Sequence, residues 1–482
     1  MDGTVSDLLV ALLKRHGVRH LFGLPAAQIS GVMDRASRDP EIHYLTTRHE
    51  EAAGHMAHAI GRLTGTLGAC FATVGPGATN MVPGVAAAFA DNIGLVAITG
   101  NNQSYNVAPT RDLLQACEQV PLYAPITKWN TLLLDADRAP ELIERALRTA
   151  RSGRPGPVHL DLPCDVGFQR RRFDVDLSPA PAPARPAPDP ERIERAVRWL
   201  ARARRPLLVA GGGVVRSGAT EAFRSLLTRT RFAATSTLSA RGVIPPDDPS
   251  HVGSGGFLGG EAAVRALREA DVVLAVGCKF STWMLADRPP LYPRVPDQRI
   301  IQVDIDPDML GKNLRIDLAI LADARLALED LAHALDDAPK LAADLGWRQA
   351  LRATRDQYLA NVHATARARV AGDGKTLNEA AVLACLAREL APDGIVCVDG
   401  GQVMQWAHTF LQVDRPERIL CDPGMGHLGV GIPFANAAKL ACPDRQVVNV
   451  TGDGAFGCTI QELETAVRHG LDAIHVVCND SH

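Results

Sequence analysis

The sequence predicts an α/β protein built from three doubly wound, mainly parallel-sheet domains. Short, continuously apolar runs recur along the 482 residues: Val96-Ala97-Ile98, Val158-His159-Leu160, Leu207-Leu208-Val209, Val272-Val273-Leu274, Ile300-Ile301-Gln302-Val303 and Val447-Val448-Asn449-Val450. Each follows a stretch of helical periodicity, and apolar strands without alternation suit parallel sheets covered on both faces. The second observation is punctuation. Six prolines fall between Pro179 and Pro190, alternating mostly with alanine, and read as an extended linker. The third is a softer break, where a polar helical stretch ends near Gly372-Asp373-Gly374. The expected segments are 1–172, 188–335 and 374–482.

Within the first segment, Val5, Leu8, Leu9, Leu12 and Leu13 share one face of a helix over residues 4–16, and Gly17 stops it. A tight turn, Leu24-Pro25-Ala26-Ala27, follows, and Arg48-His49-Glu50 opens an Ala/Gly/Met/His helix. A carboxylate at a helix start has an ordinary explanation, favourable charge near the positive dipole end. Thr73-Val74-Gly75-Pro76-Gly77-Ala78-Thr79-Asn80 comes next, then Leu114-Gln115, Pro125 to Asn130, and Gly153-Arg154-Pro155-Gly156-Pro157 through Asp161-Leu162-Pro163. In the middle segment Gly211-Gly212-Gly213 after a strand is a helix-entry turn and falls short of a dinucleotide fingerprint.

The last segment carries the strongest chemistry. Strand Val447–Val450 runs into Gly452-Asp453-Gly454, and 24 residues (455–478) later comes Asn479-Asp480 at the end of a second strand. Paired glycines admit a diphosphate close to the backbone, the following helix offers N–H donors, and a carboxylate beside phosphates can hold Mg²⁺. A lone Gly-Asp-Gly is more often a turn; the spaced second half makes the pattern specific.

Composition excludes several classes. A net charge of −3 without a long basic run argues against nucleic acid. Asp2, Asp7 and Lys14 break up the N-terminal apolar residues, a pattern not expected of a secretory signal, and no apolar run is long enough to span a bilayer. Ten scattered cysteines without a C-x-x-C pair indicate neither zinc nor a disulfide framework. A cytoplasmic protein is expected.

Taken together, the motifs resemble those of thiamine-diphosphate-dependent enzymes of the acetolactate synthase and pyruvate decarboxylase superfamily. The resemblance implies a pyrimidine-binding domain (1–172), a central domain (188–335) and a diphosphate-binding domain (374–482). It makes Glu50 the acid that activates the cofactor by sharing a proton with its aminopyrimidine ring, and Gly75 part of the facing loop. Gly401 and Gln402, with Trp406, match one cofactor-binding block, and Gly424 to Gly429 match another. There the Gly426 carbonyl accepts the 4′-amino hydrogen and Leu428 wedges between the two rings. Gly452, Asp453, Gly454 and Ala455 border the diphosphate. Mg²⁺ falls to Asp453, to Asp480 (where the family pattern has Asn) and to the carbonyl of His482.

The chain stops at Ser481-His482, directly after the motif, so the resemblance makes the third domain incomplete and the protein as written nearly inactive. FAD occupies the central domain of flavin-bearing relatives. Thr237-Leu238 and Asp304-Ile305-Asp306 keep that pattern, whereas Lys279 and Ser281 replace its Arg and Asp. Lysine lacks arginine's planar fork, so any flavin is expected to be structural and loosely held.

Ala26, Ala27, Leu114, Gln115 and His427 are the expected substrate-facing residues, and Ala26-Ala27 departs from the biosynthetic enzymes' paired glycines. The expected reaction is carbon–carbon bond cleavage or formation on a 2-oxo acid or acyl donor in a homodimer or homotetramer. 2-Hydroxyacyl-CoA lyase, sulfoacetaldehyde acetyltransferase and benzoylformate-type decarboxylase activities stay open beside acetolactate synthase. So does a catalytically silent regulatory paralogue, though retention of Glu50 and Asp453 argues against it.

Overall fold

The computed structural model describes residues 1–285, 297–336, 341–370, 377 and 379–479. The chain divides into two compact units. The first comprises Met1–Pro183, Ala391–Met404 and Leu420–His482; the second comprises Ala184–Leu390 and Gln405–Ile419. The expected break at Gly372-Asp373-Gly374 lies outside the described residues.

The first unit opens with a helix over Val5–Arg15, entered through a reciprocal cap. Thr4 accepts the Asp7 N–H at 3.1 Å while Asp7 accepts the Thr4 N–H at 2.8 Å, satisfying donors that the first turn leaves free. Its apolar stripe, Val5 to Leu13, is buried in a core with Val96, Ile98, Val158 and Leu160. The strands of the N-terminal sheet run in the spatial order His43–Thr46, His20–Gly23, Gly68–Ala72, Leu95–Asn101, Pro157–Pro163 and Trp129–Leu132, all parallel.

Two helices on this sheet, Glu50–Thr64 and Pro76–Asp91, cross where Gly54 meets Gly84. A Cβ on Gly54 would stand 2.9 Å from the Gly84 Cα, so the backbones touch only because both residues lack a side chain.

The C-terminal portion of this unit adds a second sheet in which Ile395–Val398, Val447–Gly452 and Ile474–Cys478 lie side by side in parallel. Helix Gly431–Ala441 packs against helix Glu50–Thr64. One apolar cluster joins the two sheets, with Phe22, Met56, Ile60 and Val85 from one side and Ile395, Phe434, Ala438 and Val447 from the other. Helix Glu50–Thr64 is thereby tied to the C-terminal sheet of the same unit.

The second unit is an all-parallel sheet in the order His251–Ser254, Ala233–Ser236, Pro206–Ala210, Val272–Val276, Arg299–Asp304 and Leu318–Leu321. Its Gly211-Gly212-Gly213 turn is closed by protein: a Cβ on Gly211 would meet the Gly277 carbonyl oxygen at 2.1 Å. The three segments are α/β, as the apolar runs predict, and the strands extend those runs by at most one residue at the amino end and by up to three at the carboxyl end. No helix among the described residues is long and apolar enough to cross a membrane.

Candidate active site

Strand Ile395–Val398 ends at Asp399, a residue sequence reasoning missed. Its carboxylate is fully buried and accepts from four donors. Oδ1 takes the N–H of Gly400 at 2.8 Å and of Gly429 at 2.9 Å; Oδ2 takes the N–H of Gly431 and the Thr451 hydroxyl, both at 3.0 Å. Burial raises its pKa against the lowering effect of these bonds. One side chain thus ties together the three motif loops around Gly401, Gly426–Leu428 and Gly452. Its signal in the sequence was a lone Asp before Gly400-Gly401 at a strand end, which also reads as a turn.

The second loop is shaped by Asp422, which accepts the N–H of Met425 at 3.2 Å and of His427 at 3.1 Å. Gly426 there has φ +64° with open space at its Cβ position, and Leu428 is 45% exposed, unusual for a leucine beside a buried core. In the third loop, Gly452 precedes helix Asp453–Thr459. A Cβ on Gly452 or Gly454 would meet nothing within 4 Å, so the helix start borders open space. Asp453 Oδ1 accepts the Gly454 N–H at 2.9 Å, and Ala455 is buried behind it. Gln402 is exposed beside Gly401, which has φ +94°.

Glu50 begins helix Glu50–Thr64 and is 5% exposed. Its Oε2 accepts from Asn80 Nδ2 at 3.1 Å, and its Oε1 faces Gly77, where a Cβ would stand 3.0 Å away. The approach to Glu50 is fixed by Glu462, which accepts the backbone N–H of Arg48 at 2.9 Å and of His49 at 3.0 Å. Burial raises the Glu462 pKa against those bonds. Glu462 was also missed, because nothing in its helix marks it apart from a first-turn acid.

Gly75, with φ +68°, lets the chain pass beneath Gln115, whose carbonyl oxygen would meet a Cβ there at 2.3 Å. Gln115 is itself left-handed at φ +63°, a strained setting for a non-glycine residue. Gln119 joins this end of the sheet: it accepts the Gly75 N–H and donates to Asp161 at 2.7 Å. The Ala26-Ala27 turn lies over the same sheet end, where Gln28 accepts from Thr73 at 2.9 Å and packs on Gly100. Leu114 stands 85% exposed. Gly75, Gln115 and the Ala26-Ala27 turn thus gather at the carboxyl end of the N-terminal sheet, where open α/β sheets bind ligands.

Direct contacts join the expected residues only in part. His427 lies 3.6 Å from Glu51, the neighbour of Glu50. Among the described residues, no hydrogen bond or ion pair links Glu50 to residues 399–479. Asp480 and His482, the other expected Mg²⁺ ligands, lie outside the described residues.

Residues 3–122 match the "Thiamine pyrophosphate enzyme, N-terminal TPP binding domain" family, residues 193–331 its central domain and residues 399–482 its C-terminal TPP binding domain. The chain is 32% identical to a probable acetolactate synthase large subunit of Methanocaldococcus jannaschii, over 97% of this chain and 79% of that protein. It is 33% identical to the acetolactate synthase large subunit of Parasynechococcus marenigrum, over 98% and 75%. Identity is 32% to the acetolactate synthase isozyme 1 large subunit of Escherichia coli, over 99% and 82%.

Proposed function

The chain belongs to the thiamine pyrophosphate enzymes, and from that premise we propose that it uses thiamine diphosphate and Mg²⁺ to cleave or form a carbon–carbon bond on a 2-oxo acid or related donor, as acetolactate synthase does. The residues present fit the cofactor. A glycine-bordered helix start opens onto space, and Asp453 commits one oxygen to Gly454 while the other is available to a cation. Asp453, Asp480 and the His482 carbonyl would hold the metal. The Gly426 carbonyl would accept from the aminopyrimidine, and the half-exposed Leu428 would separate the two rings.

When bound, thiamine diphosphate supplies a carbon nucleophile and an electron sink for the bond-breaking step. Glu50 holds the proton that this activation needs. Its Oε2 is fixed by Asn80, and Oε1 is left to share a proton with the cofactor ring in a pocket that burial keeps dry. That pinned, buried carboxyl group is the single observation that carries the proposal.

The active site is shared between two copies. The Glu50 carboxylate turns to Asn80 and Gly77 of its own domain, and the family resemblance supports the Gly426–Leu428 loop of a second chain as the other wall, in a homodimer or homotetramer. Ala26, Ala27, Leu114, Gln115 and His427 face the substrate, and the two alanine methyls narrow the pocket relative to paired glycines. A flavin, if the central domain takes one, is structural and loosely held. Lys279 offers a point charge where a planar fork is needed, and the Gly211–Gly213 turn is filled by Gly277.

Cofactor binding tests the metal assignment by quenching of tryptophan fluorescence. Asp453→Ala abolishes Mg²⁺-dependent thiamine diphosphate binding, whereas Asp480→Asn keeps it, since Asn still offers one oxygen. Equal damage from both would contradict the assignment. A product screen with pyruvate, benzoylformate and a hydroxyacyl-CoA then separates the synthase reading from the decarboxylase and lyase readings. Tight cofactor binding with no product from any donor would favour the silent paralogue.

A further inference from the structure

We propose that Glu51, His55 and His427 form a second metal site, for a borderline transition ion such as Zn²⁺, distinct from the oxygen-rich Mg²⁺ site at Asp453. The three side chains meet inside the first unit, where helix Glu50–Thr64 faces the loop before Gly429. Glu51 Oε1 lies 3.8 Å from His55 Nε2 and 3.6 Å from His427 Nδ1, and the candidate ligand atoms all fall within 4.8 Å of one another. Tetrahedral Zn²⁺ with nitrogen and oxygen ligands at roughly 2.0–2.1 Å holds them about 3.3 Å apart, so each side chain needs to move by under about 1 Å.

A second observation is independent of that spacing. His55 is fully buried, and among the described residues neither ring nitrogen has a partner within hydrogen-bond distance. At 3.8 Å from Glu51, Nε2 is beyond hydrogen-bond reach. A buried imidazole left so is costly, and a metal ion is one partner that satisfies its lone pair. The ring is also set in place, with Phe434 edge-on at 6.2 Å and the His427 ring at 5.0 Å.

The protonation states agree. Burial, above all, lowers the His55 pKa and keeps the ring neutral. Burial pushes the Glu51 pKa up, and the surrounding histidines bring it below the usual carboxylate value. These are the ligating forms. His427 Nδ1 now contacts the Leu428 carbonyl at 2.6 Å, and ligation exchanges the proton of that contact for the metal. His49 is a weaker candidate, because its Nδ1 already accepts the Glu51 N–H. Two imidazoles and one carboxylate suit Zn²⁺ or Co²⁺, whereas Mg²⁺ prefers oxygen alone.

Cobalt is the probe. The full chain is stripped with chelator, saturated with Mg²⁺ and thiamine diphosphate, and titrated with Co²⁺. The expected result is one equivalent bound per chain, with the intense visible bands of a low-coordinate ion, bleached by stoichiometric Zn²⁺. Glu51→Gln and His427→Gln, at partly exposed positions, each weaken Co²⁺ by more than the roughly 10–100-fold that loss of an outer-shell partner costs. His55→Gln does the same if it folds, and the other two variants decide the matter if it does not.

Absence of the visible bands, or unchanged affinity in Glu51→Gln, overturns the proposal. A near-ultraviolet sulfur-to-cobalt band would place the ion on one of the ten cysteines and overturn it equally. Thiamine diphosphate binding is read separately, so failure of the cofactor assignment leaves this result interpretable.

Discussion

Asp399 and Glu50 show how differently two buried carboxylates can be used. Asp399 gives each oxygen two donors and acts as an internal tie, so its role is to position loops. Asp399→Asn turns two of those acceptor contacts into donor-to-donor clashes. The expected loss is about 1–3 kcal/mol of stability, with weakened thiamine diphosphate binding, read by urea unfolding and fluorescence titration. Unchanged binding in a folded variant would remove Asp399 from the positioning role. Glu50 was legible because its neighbours in the sequence form a motif. Asp399 was not, because its four partners lie at residues 400, 429, 431 and 451 and meet only when the sheet forms. Nor could the sequence distinguish the tasks of Glu50 and Glu51. Adjacent helix residues point about 100° apart, which sends one to Asn80 and the other to His55 and His427.

At the scale of elements, the parallel strands were legible from their uninterrupted apolar runs. Their ends were not, because the sheets continue into buried polar residues. Leu95–Asn101 and Pro157–Pro163 carry such a layer. Thr99 donates to Asp161 at 3.1 Å and contacts His159 at 2.8 Å, and Asn101 donates to Asp161 at 2.8 Å. Burial lifts Asp161 to about 7 and drops His159 to about 3.

Between about pH 4 and 6.5 the folded pair carries one proton on Asp161, and the unfolded pair carries one on histidine, so the pair makes stability nearly independent of pH there. His251, in the second unit, has no such counterpart in its own strand. Burial holds it at about 3, so its contribution is complete above pH 6.5 and is lost as pH falls toward 3, at up to about 1.4 kcal/mol per pH unit. Since His251 is buried and held neutral by that burial, His251→Leu keeps an apolar side chain there and flattens the acid limb of stability. Urea midpoints measured from pH 7 to pH 4 check this; parallel declines for variant and parent would refute it.

For the whole molecule, the proline-rich linker read from the sequence falls on the border between the compact units at Pro183 and Ala184. That residues 391–404 and 420–482 pack with 1–183 could not be read from the chain, because it rests on one apolar cluster assembled from positions hundreds of residues apart. If the active site needs two copies, damage in different domains should complement. Glu50→Gln and Asp453→Ala chains, each inactive alone, recover activity when unfolded together and refolded, since a mixed dimer contains one site with both residues intact. Activity no higher than the sum of the separate variants would place the site within one chain.

The central claim is that Glu50 activates thiamine diphosphate, and exchange of the cofactor's C2 proton with deuterium measures that step before any substrate is needed. Wild-type chain with Mg²⁺ should accelerate exchange, and Glu50→Gln should slow it by roughly 10²–10⁴-fold while binding the cofactor nearly as well, because an amide cannot hold the shared proton. Exchange at the wild-type rate in a Glu50→Gln protein with bound cofactor would contradict the account.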